Sequence, residues 1–192
     1  VRFRYQIPGF VLLVGGGLEV LQLSFTDLVS IPAPPWTIAL LYGIPPTVIG
    51  AGIIALGIKI ERPVRLAFFV SGAGLLLAAA INDSQLITGS RDLFLAAFLI
   101  SAISSVSLSI AAVVLWRDRT QAHSVRYAML FPAAGFVLYA LTQFLPQLSW
   151  YNVLLGIGFV ATGVTLIREG RTETGGDSGR RPAERVVPEL RV

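Results

Sequence analysis

Long apolar runs alternate along this chain with short stretches that hold nearly all of its charge. The runs fall at about 7–25, 36–58, 66–82, 93–116, 127–145 and 149–167. At about 1.5 Å of helix rise per residue, runs of this length match a hydrocarbon core of about 30 Å. The pattern predicts an all-α polytopic membrane protein with six transmembrane helices. The second run, WTIALLYGIPPTVIGAGIIALGI, contains no charge but is broken a third of the way in by Gly43, Pro45 and Pro46, a poor sequence for an undisturbed helix.

Composition agrees with that class and narrows it. Hydrophobic residues make up 54% and charged residues 14% of the chain, with mean hydropathy +0.73, against about 25% charged in an ordinary soluble domain. There is no cysteine, which excludes disulfides, thiolate nucleophiles and Cys metal sites. The net charge of +4 does not point to nucleic acid, because the basic residues are scattered in short loops and are not interleaved with aromatics on one face. Their placement sets orientation instead. Six spans put both termini on one side with the 59–65 and 117–126 loops, and that side then holds 14 of the 15 basic residues, leaving Arg91 alone on the other. This is the positive-inside signature and places both termini in the cytoplasm or its equivalent. Trp36, Trp116, Tyr127, Trp150 and Tyr151 fall at span ends, where amphipathic rings sit best. Tyr42 and Tyr139 lie deeper and call for hydroxyl partners inside the bundle.

The chain divides into a six-helix transmembrane domain, 1–167, and a polar tail, 168–192, whose Gly- and Arg-rich sequence predicts disorder. The 26–35 loop, TDLVSIPAPP, should be extended. The 82–92 loop carries Asn82-Asp83-Ser84, a glycosylation triplet that has meaning only in a secretory lumen. Arg2 and Arg4 precede the first apolar run, but Glu19 interrupts it and no small-x-small site follows, so it reads as a span rather than a signal peptide.

The odd-numbered spans are introduced alike, by Val1-Arg2, Val64-Arg65 and Val125-Arg126, and six residues after each arginine come Pro8, Ser71 and Pro132. Three hairpins of the same in-out sense would form a parallel repeat; the competing explanation is that any three apolar hairpins look alike. With GFVLYALTQFLPQLSWYNVLLGIGFVATGVTLI (135–167) as its clearest unit, the chain resembles the acid-resistance membrane protein family (HdeD-like). Separately, YGIPPTVIGAGIIALGIKIERP (42–63) is similar to the paired-span segment of an uncharacterised family of small membrane proteins of cyanobacteria and chloroplasts. Both resemblances imply a non-enzymatic membrane protein and supply no catalytic residues.

Few residues can carry chemistry. Glu19 is the one carboxylate well inside a predicted span, where a charge costs about 2.5–3.5 kcal/mol unless it is paired, protonated or solvated. It reads either as a proton or cation site or as a neutral acid tied to a neighbouring helix. Pro45 and Pro46 lack the amide hydrogens that would bond the carbonyls of Leu41 and Tyr42. Depth counting brings Glu19 and the Leu41 carbonyl to a similar level, so a polar pocket of Glu19, Leu41, Tyr42, Pro45 and Pro46 is one expectation and a plain proline kink the other. Ser101, Ser105 and Ser109 recur every four residues between Ala97 and Ala112 and read as a helix-packing face, with Gly72, Gly74, Gly156, Gly158 and Gly163 as further close-packing positions. His123, the single histidine, has no second ligand beside it, so no metal site and no Ser-His-Asp logic is expected.

The function expected is therefore a non-enzymatic integral membrane protein with a structural, assembly or stress-related role and no cofactor. The alternative is a small transporter or channel using the pocket at Glu19. Its partners would be the lipid bilayer, other membrane proteins or further copies of itself, in a bacterial plasma membrane, or in a thylakoid if the source is a phototroph.

Overall fold

The computed structural model describes residues 5–26, 34–60, 64–89, 93–118, 126, 129–142 and 152–175. Among them are six helices and no strand: α1 (Gln6–Thr26), α2 (Pro35–Lys59), α3 (Val64–Thr88), α4 (Phe94–Arg117), α5 (Leu130–Thr142) and α6 (Asn152–Gly175). Four carry stretches long and apolar enough to cross a membrane: Pro35–Lys59, Val64–Thr88, Leu95–Arg117 and Val153–Gly170. In α1 the apolar stretch is the shorter Gln6–Gln22.

Two helices run further than the sequence expectation, and α2 passes through its proline pair. The α2 helix does not divide at Pro45 and Pro46 but runs through both; its start is set by Pro35, whose missing N–H costs nothing in the first turn. The α3 helix does not stop at 82, so Asn82-Asp83-Ser84 is helical and not a loop. Polar side chains carry it on: the Ser84 hydroxyl donates to the Ala80 carbonyl (2.8 Å) and the Thr88 hydroxyl to the Ser84 carbonyl (2.7 Å). Gly89 then ends it at φ 69°, the left-handed conformation that glycine adopts without strain. Finally, α6 continues to Gly175, past the tail boundary expected at 168. The rest of the tail, the 27–33 part of the proline-rich loop, Arg91 and His123 lie outside the described residues.

Each helix packs on its sequence neighbours, and α6 packs on α1, so the six close into a ring. One cluster of buried side chains from all six helices joins them, including Leu12, Ile53, Phe68, Leu108, Met129 and Phe159. The outward surface is apolar as well. Along α4, Leu95, Leu99, Ile103, Val106 and Ile110 recur at helical spacing and are all more than half exposed; such a stripe fits lipid, not water.

Glycine sets how closely the helices approach. On the α2–α3 interface a Cβ on Gly72 would lie 2.7 Å from the Gly50 carbonyl oxygen, and one on Gly50 2.9 Å from that of Gly72. The α6–α1 interface repeats this arrangement: a Cβ on Gly163 would lie 2.5 Å from the Gly9 carbonyl oxygen, and one on Gly9 2.9 Å from that of Gly163. Gly43, Gly50 and Gly57 in α2, and Gly156, Gly163 and Gly170 in α6, are spaced by seven and all face the neighbouring odd-numbered helix. Small residues at that spacing let two backbones touch.

Basic residues gather at one end of the ring, which holds Lys59, Arg65, Arg117, Arg126 and Arg168. Two of them finish helices. Arg65 Nε donates to the Ile60 carbonyl just after α2 (3.2 Å), and the Arg126 guanidinium donates to the Trp116 carbonyl at the end of α4 (2.9 Å from Nε). A cation at a helix C-terminus satisfies an orphan carbonyl and complements the helix dipole.

Candidate functional site

Glu19, Gln22 and Asp83 lie toward the end of the ring opposite the basic residues, while Ser71, also buried, lies in the half of α3 toward the basic end. Helix register fixes their levels. Gly15 abuts Ile49 and Leu12 abuts Gly52, so on the antiparallel α1–α2 pair Glu19 comes level with Pro45 and Gln22 with Tyr42. On α2–α3, Gly57 abuts Phe68, Gly50 abuts Leu76, and Gly43 abuts the carboxylate of Asp83.

Asp83 is the group that reading along the sequence missed, because it was placed in a loop. It lies on the stripe of α3 that runs Gly72, Leu76, Ala79, Asp83 and packs on α2. That i, i+4, i+7, i+11 spacing is the signal by which it could have been found. Its side chain is seated directly over Gly43, filling the space a Cβ would need. Its Oδ1 is buried and has no hydrogen-bond partner. Gln22 Oε1 and Ser71 Oγ are in the same condition.

Glu19 is partly buried on α1. Steps of seven residues keep it on one stripe with Tyr5 and Leu12, which are 4% and 0% exposed within the core. The corresponding stripe of α3 reads Phe68, Leu75, Asn82. Toward the basic end these stripes are aromatic and aliphatic; at the far end they turn to a carboxyl and an amide. Pro45 is buried and Pro46 partly buried. The side chains of Leu41 and Tyr42 are 57% and 40% exposed, so Tyr42 is not enclosed in the bundle as expected, and what Leu41 offers a pocket is its carbonyl. The side chain of Tyr139 lies outside the described residues.

Three serines of α4 are satisfied within their own helix. Ser105 donates to the Ser101 carbonyl, Ser109 to that of Ser105 and Ser104 to that of Ile100, each at 2.8 Å. Ser104 and Ser105 are buried with Ala97 and Ala112, and Ser104 sits against Gly74 of α3. Once bonded back, a hydroxyl behaves as a small side chain at a contact. Gly72 faces Gly50, while Gly156 faces Gly16 and Val20. Gly158 lies over Phe131 and Pro132. Among the described residues no cluster of three His, Cys, Asp or Glu side chains is placed to hold a metal ion.

The arrangement can therefore offer oxygen ligands, from Asp83, Gln22, Glu19 and the carbonyls released by the two prolines, at the end of the ring opposite the basic residues. No nucleophile and base are brought together among the described residues. No protein-family model, curated protein or solved structure matches the chain.

Proposed function

We propose that this chain is a non-enzymatic integral membrane protein that works by packing: three hairpins, α1–α2, α3–α4 and α5–α6, close into a six-span bundle whose apolar outer surface meets lipid and other membrane components. Both termini lie on the basic side, taken as cytoplasmic by the positive-inside bias. The observation that carries the reading is the filling of the interior. Tyr5, Leu12, Phe68, Leu75 and Met129 are all at most 8% exposed and belong to one core cluster, so the route a solute would need toward the basic end is occupied by side chains. An assembly or stress-related role of the kind implied by the HdeD-like resemblance needs no such route.

The repeat belongs to the same proposal. Residues of α1 and α3 correspond at a separation of 63, and those of α2 and α6 at 113. With these offsets the Gly9–Gly163 crossing becomes Gly72–Gly50, and Val20 against Gly156 becomes Asp83 against Gly43. Matching contacts at matching offsets support duplication of a hairpin more strongly than sequence spacing does.

A second reading is favoured by the position of Glu19 at the polar end of an interior stripe: a small transporter or channel whose pocket opens at the far end. Glu19→Gln separates the two. If the protein packs, the variant keeps its assembly state and its co-purifying partners; if it transports, solute or proton flux into proteoliposomes collapses. Topology is tested with single cysteines, since the chain has none of its own. In right-side-out vesicles Ser90→Cys should react with an impermeant maleimide and Ser178→Cys only after lysis. Labelling of both from one side would remove the six-span topology.

A further inference from the structure

We propose that Asp83 and the α2 turn before Pro45 form a binding site for a monovalent metal cation, Na+ or K+, held by oxygen atoms at the end of the ring opposite the basic residues. The site stands whether the protein packs or transports, because a bound cation can serve either role.

Three independent features converge there. The first is the carboxylate itself: Asp83 lies on Gly43 with Oδ1 buried and without a partner. A buried acceptor left unmade costs the full desolvation of the group, and more when it is charged. At the same place on α6–α1 the chain uses Val20 against Gly156, so the interface does not require a polar group for packing. The second is the proline pair carried inside the continuous α2 helix. Pro45 and Pro46 withhold two amide hydrogens, and the acceptors thus released belong to Leu41 and Tyr42, the two residues immediately before Gly43. A carbonyl freed inside a membrane helix needs another partner, from a neighbouring helix, a polar side chain, water or an ion. The third is charge. Among the described residues every Lys and Arg lies at the basic end, while the far half holds Asp83 and, level with Pro45 on the other side of α2, Glu19; Arg91, outside the described residues, is the one basic residue that the sequence assigns to that side. Gln22 Oε1, also buried and unpartnered, lies level with Tyr42.

The donor set selects the ligand. Carboxylate, carbonyl and amide oxygens are hard ligands and suit alkali or alkaline-earth ions over softer metals. One carboxylate among neutral carbonyls balances a single positive charge, which favours Na+ or K+ over a divalent ion. Gly43, next in sequence to Leu41 and Tyr42, puts no side chain between the α2 backbone and the carboxylate.

The test uses the full chain, purified and reconstituted in lipid nanodiscs, at about pH 8 so that exposed carboxylates are ionised. Thermal unfolding is compared in NaCl, KCl and choline chloride at equal ionic strength, about 100 mM. For a dissociation constant of about 10 mM, Na+ or K+ should raise the folded-to-unfolded ratio about tenfold over choline, a shift of roughly 3–6 °C in midpoint. Asp83→Asn, which keeps the volume, should abolish the difference between salts, and so should Gly43→Ala, whose Cβ displaces the carboxylate. Because either variant can fail to fold, sodium NMR line broadening on the unmodified protein, reversed by excess K+, provides a second readout. Equal midpoints in the three salts with no line broadening would overturn the site. So would a salt response that survives Asp83→Asn, or stabilisation that follows acidification alone and ignores the cation, which would make the ligand a proton.

Discussion

Gly15, Gly16 and Gly17 are consecutive in α1, and the structure gives the last two opposite fates. A Cβ on Gly16 would lie 2.6 Å from the Gly156 carbonyl oxygen and 2.8 Å from the Val160 nitrogen, both backbone atoms of α6, whereas one on Gly17 would meet nothing within 4 Å. Carbon–oxygen contacts between helices settle at about 3.3–3.6 Å. Gly16→Ala must therefore push α1 and α6 apart by roughly 0.7–1 Å. Overpacking of this kind costs about 1–3 kcal/mol. Both substitutions also gain about 1 kcal/mol of helix propensity, since alanine replaces glycine inside a helix. The net expectation is a loss of up to about 2 kcal/mol for Gly16→Ala and a gain of up to about 1 kcal/mol for Gly17→Ala. The two neighbours should thus differ by about 1–3 kcal/mol. Reversible unfolding in mixed micelles, with helix content followed by circular dichroism against the mole fraction of SDS, measures both. Equal effects of the two alanines, or a more stable Gly16→Ala, would refute the close α1–α6 approach on which the closed ring depends.

Other consequences are as direct. Ser105→Ala should change stability by less than about 0.5 kcal/mol, because the hydroxyl bonds only its own helix. Ser105→Leu, at a position 4% exposed, should destabilise the bundle by about 1–3 kcal/mol in the same unfolding assay. Arg126→Gln removes the cationic cap on the Trp116 carbonyl and should cost about 0.5–1.5 kcal/mol, less at high salt, read as a lowered midpoint. Phe68→Ala, at a fully buried core position, should cost about 3–5 kcal/mol and reduce the yield of folded protein in detergent.

Much of the architecture was legible because in a membrane the backbone must satisfy itself, so a long apolar run has little choice but to be helical. Hydropathy therefore located all six helices, including the one that carries Pro45 and Pro46 inside it. Where the reading along the chain failed, the deciding interaction was either local and polar or distant in sequence. Ser84 and Thr88 carried α3 on to Gly89 by bonding their own helix, which hydropathy does not register. Asp83 consequently looked like a loop residue. Glu19 stood out because it interrupts an apolar run, but its level relative to Pro45 required the α1–α2 register.

The sequence by itself determined that the chain is helical with runs apolar enough to cross a membrane, which end is basic, and that α2 surrenders two carbonyl acceptors, since each follows from residue chemistry and spacing along one segment. Only the tertiary structure decided that α6 returns to α1 to close the ring, that Gly9 meets Gly163 as Gly72 meets Gly50, and that the lone carboxylate of α3 rests on Gly43 of α2, which has no side chain to keep it away. Those are statements about pairs of helices. What fixes them is the depth at which two backbones can touch, and that depends on small residues far apart in the chain arriving at the same level.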